Sequence, residues 1–359
     1  MSNSFGDLFK VTIFGESHGK VMGGVVDGCV PGLTIDEQLI HQELLKRSTS
    51  RNFFSSPRIE ADDFEILSGI CNGKTTGGPI SFIILNANHK KKDYDELDKL
   101  FRPSHADFTY FAKYGSEESA GKLNASGRIF APVVLAGSLA KQFIQSKGIS
   151  VMAYVKQIGN VALEPGKKIN LNTDTIEASK VRCPDSSTSE KMLALLTEAK
   201  EKGDSLGGII SCVVKGCEPG LGDPLFDKLS ARLAHAMLSV HSVKGFEYGS
   251  GFAGAGMWGS EHNDPFIIKN KRLQTLTNHS GGIQGGISNG MDICFNVAFK
   301  PISSIAQKQK TISREAAEVE FAIKGRHDVC IVPRAVPIIE SMTALVLADS
   351  YLKNLPYAE

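Results

Sequence analysis

The sequence predicts an α+β fold built on antiparallel sheets, and three observations carry that reading. Short runs of β-branched and apolar residues recur along the chain, several of them alternating apolar with polar positions, as half-buried strands do. Two longer segments, Ile129–Ile144 and Pro337 to about Leu352, place apolar residues at helical spacing instead. Finally, many of the strand-like runs are joined by turns rather than by crossover helices. That arrangement favours antiparallel sheets over a doubly wound parallel one.

The elements follow in chain order. Phe9–Phe14 and Val21–Val26 read as strands, the second with Gly23 and Gly24 inside it. Thr34 followed by Glu37 has the form of a capping box and predicts a helix running to about Lys46. Phe64–Ile70 and Ile80–Leu85 are predicted strands on either side of the glycine-rich turn Asn72–Gly78. Ile129–Ile144 is a predicted core helix with Pro132 in its first turn. Ser187 and Glu190 suggest a second capping box, opening a helix to about Lys202. Ile209–Lys215 is a predicted strand, Leu225–Leu238 a helix and Ile293–Phe299 a strand. The last helix takes Pro337 as its first residue and buries Ile338, Met342, Leu345 and Val346. No linker, repeat or shift in composition marks a boundary, so one domain over residues 1–359 is expected.

Composition narrows the function. With 40 Lys+Arg against 39 Asp+Glu the formal net charge is +1, which argues against nucleic-acid binding through bulk charge. The richest apolar run, Thr343–Ala348, is far short of the ~18–20 residues of a membrane helix. The start MSNSFGDLFK carries neither a basic nor an apolar signal segment, and a cytoplasmic protein is expected. Seven cysteines, none in a CxxC pair, read as reduced and buried. The 36 glycines point to tight turns and close backbone approach to a ligand.

Three short patterns are decoys. Gly15-Glu16-Ser17-His18-Gly19 fits a nucleophile elbow, but such an elbow needs a helix after the serine and Val21–Val26 is β-like. Gly69 to Thr75 is one residue short of a phosphate-wrapping Walker loop and reads better as a hairpin turn. Gly282-Ile-Gln-Gly285-Gly286 lacks the full GxGxxG spacing and the following helix of a dinucleotide fingerprint. The nine histidines show no metal-ligand spacing, so no metal site is expected. Histidines do sit beside cations and carboxylates in turn-like settings: His18, then His105 after Arg102-Pro103-Ser104, then Gly325-Arg326-His327-Asp328. Together these supply acid–base groups and anion-binding cations, the set needed to handle a phosphate or a carboxylate.

Those same segments, FGESHG at Phe14–Gly19, FRPSHAD at Phe101–Asp107 and NHSGGIQGGISNG at Asn278–Gly290, resemble the chorismate synthase family. FKPISS at Phe299–Ser304, KGRHDVC at Lys324–Cys330 and RAVP at Arg334–Pro337 extend the resemblance over nearly the whole chain. Length and the absence of large insertions are similar to the bacterial, monofunctional branch. The resemblance implies a sandwich of central helices between antiparallel sheets, assembled as a homotetramer. It implies a carbon–oxygen lyase that converts 5-enolpyruvylshikimate 3-phosphate, a small anionic substrate, to chorismate by 1,4-anti elimination. Reduced FMN is the implied cofactor, kept reduced by an external flavin reductant, with NADP associated.

Carried over by motif, His18 matches the histidine that protonates the leaving phosphate, and His105 the one beside the reduced flavin. Asp328 matches the carboxylate that helps deprotonate the flavin. Flavin contacts map onto Ser126, His241, Ser242, Gly285, Lys300, Pro301, Ile302, Ser303, Ser304 and Arg326; substrate contacts map onto Ser17, Arg47 and Arg128. Three stretches depart from the family pattern. RRRPG becomes Lys46-Arg47-Ser48-Thr49-Ser50, RGGGRSSAR becomes Ala120–Arg128 with two arginines lost, and an Asn-Ala pair becomes His241-Ser242. These departures leave two alternatives beside the main reading. One is a flavin-dependent lyase acting on a related cyclohexene acid, the other a catalytically weakened binding protein.

Overall fold

The structure, a computed structural model, describes residues 3–16, 19–48, 62–86, 100–115, 126–167, 169–322 and 328–357. The α+β expectation holds. One five-stranded sheet has the order Ser4–Phe5, Lys10–Gly15, Val21–Asp27, Ile80–Leu85, Phe64–Ile66. The other has the order Val243–Tyr248, Ile293–Phe299, Gly208–Lys215, Ser150–Ile158, Val161–Ala162. Neighbouring strands in both are antiparallel. Alternation decides which face is buried: Ile80, Phe82 and Ile84 point into the core, as do Ile293, Phe295, Val297 and Phe299.

Two helices fill the space between the sheets. Phe130–Gln145 packs on the Lys10–Gly15, Val21–Asp27 and Ile80–Leu85 strands, and on Ser150–Ile158 from the other side. Val332–Asn354 packs on Ser150–Ile158, on Gly208–Lys215 and on its partner helix. A helix covered on several sides must be apolar nearly all round, and Phe130 to Ala140 is buried at every position. Among the described residues one helix, Val332–Tyr357, is long and apolar enough to cross a membrane. Its apolar window is 83% buried inside the fold, the signature of a core helix.

The two core helices meet at Gly137. A Cβ added there would stand 2.2 Å from the Ser341 Cβ and 2.6 Å from its Cα, so only glycine allows this approach. Gly137→Ala is therefore expected to destabilise the fold by ~1–3 kcal/mol through overpacking. In urea titration the midpoint should fall at unchanged slope; an unmoved midpoint would show that the helices can separate without cost.

Several boundaries differ from the sequence reading. The last helix begins at Val332 with Pro333 in its first turn, and Pro337 lies inside it. An interior proline leaves the carbonyl four residues earlier without its N–H donor. That carbonyl is Pro333's, and Arg182 Nη1 donates to it at 3.2 Å. The true N-caps are Asp36, which accepts from Gln38 N and Leu39 N, and Asp185, which accepts from Thr188 N. A carboxylate there also suits the positive end of the helix dipole. The predicted Leu225–Leu238 helix starts only at Leu229, because Leu225 and Phe226 are exposed and belong to the preceding loop. Phe64–Ile70 breaks into Phe64–Ile66 and Ile70–Cys71 around Gly69 at φ +84. Strands Ser150–Ile158 and Val243–Tyr248 had no prediction at all. Five of the cysteines are buried, but Cys294 is half-buried and Cys71 exposed. Burial pushes the Cys29 thiol up to about 11 and Cys330 up to about 12, which keeps both unreactive.

The decoys fall as the sequence suggested. A strand, Val21–Asp27, follows the serine segment, and Ile70–Cys71 and Lys74–Thr75 form a hairpin. A second hairpin, Ile283–Gln284 with Ile287–Ser288, carries Gly285 and Gly286 in its turn.

Candidate active site

The FRPSHAD and FKPISS segments, nearly 200 residues apart, dock on one another. Ser104, at φ +57, turns its carbonyl toward two donors: Lys300 Nζ at 2.6 Å and Ser303 Oγ at 2.9 Å. Lys300 Nζ also donates to Ser303 Oγ at 2.8 Å, and Arg102 Nη1 to Ser304 Oγ at 3.3 Å. The Lys300 amide donates to Ser242 O at 2.9 Å, which fastens the His241-Ser242 pair to the same turn. Ile302 O accepts from Ser205 Oγ, while Pro301 packs beside Gly207. His105 stands at the centre, its Nδ1 2.7 Å from Asp107 Oδ1. Arg102 grips the same carboxylate with two bonds, Nε at 2.7 Å and Nη2 at 2.8 Å. Burial pushes Asp107 up, but the bonds from His105 and Arg102 outweigh it and hold its carboxyl well below the usual range. A firmly ionised Asp107 fixes the orientation of His105 and leaves Nε2 for other chemistry.

A second cluster surrounds the substrate-type arginines. Asp62 is buried between them, bonded to Arg47 Nη2 at 2.5 Å and to Arg128 Nη1. Arg128 Nε and Nη2 both donate to Asn86 Oδ1, at 3.1 and 2.9 Å. Ser126 caps the short turn before the Phe130–Gln145 helix by accepting from Arg128 N. The two clusters adjoin: the rings of Phe130 and His241 meet edge-on at 4.9 Å, and His241 feels the charge of His105.

Asp328 lies between them. Arg334 Nη1 bonds its Oδ2 at 2.5 Å, and Arg334 Nε reaches back to Arg47 O at 3.2 Å. Its neighbour Val329 accepts from Leu206 N, next to the Ser205 that holds Ile302. His105, Asp328, Arg47, Arg128, Ser126, His241, Ser242 and Lys300–Ser304 are thus linked by a continuous set of contacts. Gly285 is not brought to them within one chain. The carbonyl of Gly286 receives Leu229 N, the first residue of the Leu229–Leu238 helix, whereas His241 lies past its last. That helix has 10 residues, a span of ~15 Å. Ser17, His18 and Arg326 lie outside the described residues, as does most of the altered stretch before Arg128.

The donor set suits an anionic, polar cofactor. Lys300, Arg102 and Lys244 bring positive charge to one turn; burial and Lys244 lower the Lys300 ammonium from its usual value. Burial, with His105 nearby, also lowers His241, which favours its neutral ring. The buried His241 Nδ1 has no partner among the described residues, an atom placed for a polar ligand. Asp62, Asn86, Arg102, Asp107 and Arg334 were not assigned roles from sequence. Arg102 and Asp107 stand in the FRPSHAD segment and Arg334 in RAVP, so these three carried a signal, whereas Asp62 and Asn86 carried none.

Fold and site set a carboxylate-held histidine beside a buried pair of arginines that share one aspartate. The chorismate synthase family model matches residues 9–352, and the chain belongs to that family. It is 53% identical over 352 residues to the chorismate synthase of Christiangramia forsetii and 49% identical over 352 residues to that of Bacteroides thetaiotaomicron, covering 98% of each chain in both. A crystal structure of chorismate synthase superposes with a TM-score of 0.76 at 29% identity, covering 98% of this chain and 93% of the other. The family's enzymes are carbon–oxygen lyases acting on phosphates, in the shikimate pathway.

Proposed function

We propose that this chain, as one domain over residues 1–359, performs the 1,4-anti elimination that converts 5-enolpyruvylshikimate 3-phosphate to chorismate and phosphate. The carrying observation is the docking of the His105 turn on Lys300–Ser304, beside the Arg47–Asp62–Arg128 cluster. In the reaction a ring C–H bond and the C–O bond to phosphate break, with no net redox change. Reduced FMN, when bound, supplies the electronic means of removing an unactivated ring proton. Ser126, His241, Ser242, Lys300–Ser304 and Arg326 would hold it, with Gly285 as a further contact. Arg47 and Arg128 hold the phosphate and carboxylates of the substrate, and Ser17 is a further substrate contact. His18 gives its proton to the departing phosphate. His105, oriented by Asp107, offsets anionic charge at the cofactor, and Asp328, held by Arg334, takes part in proton movement there.

A homotetramer in the cytoplasm, served by an external flavin reductant that draws on NADPH, completes the proposal. The test is an anaerobic assay of purified protein with reduced FMN and the phosphorylated enolpyruvyl substrate. Chorismate should form, and titration with FMN should show tighter binding of the reduced form. No heat or spectral change in either redox state would remove the cofactor from the proposal, and turnover only of another cyclohexene acid would replace the substrate.

A further inference from the structure

Asn86 holds a position that none of the motifs marks. It follows directly on the Ile80–Leu85 strand, and its side-chain amide is used on both sides. Oδ1 accepts two bonds from Arg128, and Nδ2 donates to Gly19 O at 2.8 Å and Glu16 O at 3.2 Å. The orientation of the amide follows from its partners: a guanidinium can only donate and a carbonyl can only accept. Glu16 and Gly19 flank Ser17 and His18 in the sequence, and Gly19 N donates to Glu16 O at 3.0 Å. The Asn86 amide itself donates to Lys20 O, so strand and turn are fastened twice.

We propose that Asn86 is a positioning residue that couples the substrate-binding Arg128 to Glu16 and Gly19, the residues that flank the proposed proton donor His18 in the sequence. The inference rests on the function proposed above. A planar amide can hold the guanidinium and the backbone at Glu16 and Gly19 in one fixed relation. Aspartate at this position would keep an oxygen for Arg128 but turn a second oxygen toward two carbonyls, where no hydrogen bond can form. Alanine removes both halves.

Three proteins are compared: the parent, Asn86→Asp and Asn86→Ala. Steady-state kinetics are measured with reduced FMN, and calorimetric binding of the phosphorylated substrate without flavin. Asn86→Asp should lower kcat by ~10–100-fold with KM and substrate affinity within about threefold of the parent. Asn86→Ala should lose kcat likewise and also weaken substrate binding by ~10–100-fold. A general loss of folded protein would move the thermal midpoint of both variants but would not separate kcat from KM between them. The inference is overturned if Asn86→Asp keeps the parent's kcat, or if Asn86→Ala binds substrate as the parent does. A parent that binds the substrate but forms no chorismate would sink the functional proposal instead. The binding difference between the two variants would still decide the Arg128 half of the coupling.

Discussion

Replacing His18 by Ala is expected to lower kcat by ~10²–10⁴-fold, the ordinary contribution of a positioned general acid. The phosphate leaving group gains negative charge as its C–O bond breaks, and a proton delivered at that moment removes most of the penalty. A general acid works only while protonated, so the parent's kcat should fall toward alkaline pH. In His18→Ala that alkaline limb should vanish along with most of the rate. Substrate affinity should change little, because the arginines remain. Anaerobic kinetics across pH measure both quantities together. A variant that retains the parent's rate, or a surviving alkaline limb, would assign the proton to another group, with His105 the first to examine.

What sequence could and could not reveal follows from how each feature is encoded. Ile80–Leu85 and Ile293–Phe299 were predicted at the boundaries they adopt, because alternation over a full strand is a local signal. Ser150–Ile158 escaped notice although it is a central strand, since Lys156 and Gln157 interrupt its apolar face. The burial of Ile338, Met342, Leu345 and Val346 was legible in their helical spacing, but the register of the sheets depends on contacts among distant segments, and no window of sequence contains them. The same division runs through the site. His105, Lys300 and Arg128 were legible because they stand in motifs whose resemblance spans the chain. Asp62 and Asn86 were not, because an aspartate before a strand and an asparagine after one are commonplace until the fold sets both against Arg128. Gly285 was equally legible from its motif, but its place on the Ile283–Ser288 hairpin is set by the fold and not by any local signal.

Asp62→Ala should be the most destabilising single change in the site. The carboxylate is 6% exposed and shared by two buried arginines, so its loss removes the nearest counter-charge from both. Breaking a buried ion pair from one side costs ~3–5 kcal/mol, a large part of the ~5–15 kcal/mol that keeps a typical protein folded. At ~2 cal/mol/K per residue for the entropy of unfolding, this is a fall in Tm of roughly 4–7 °C for a chain of this length. The counter-effect is that a bound anion can take the carboxylate's place between Arg47 and Arg128. Inorganic phosphate should therefore raise the Tm of Asp62→Ala more than that of the parent, since a ligand stabilises whichever fold binds it better. Catalysis should fall as well, because losing Asp62 removes the carboxylate that fixes both arginines relative to each other. Thermal scans with and without phosphate, beside an Asp62→Asn variant that keeps the shape but not the charge, separate these effects. If Asp62→Asn loses as much as Asp62→Ala, charge is what matters; if it matches the parent, one accepting oxygen is enough. A Tm unmoved in both variants would show that the arginines are held without Asp62, and the clamp would lose its role.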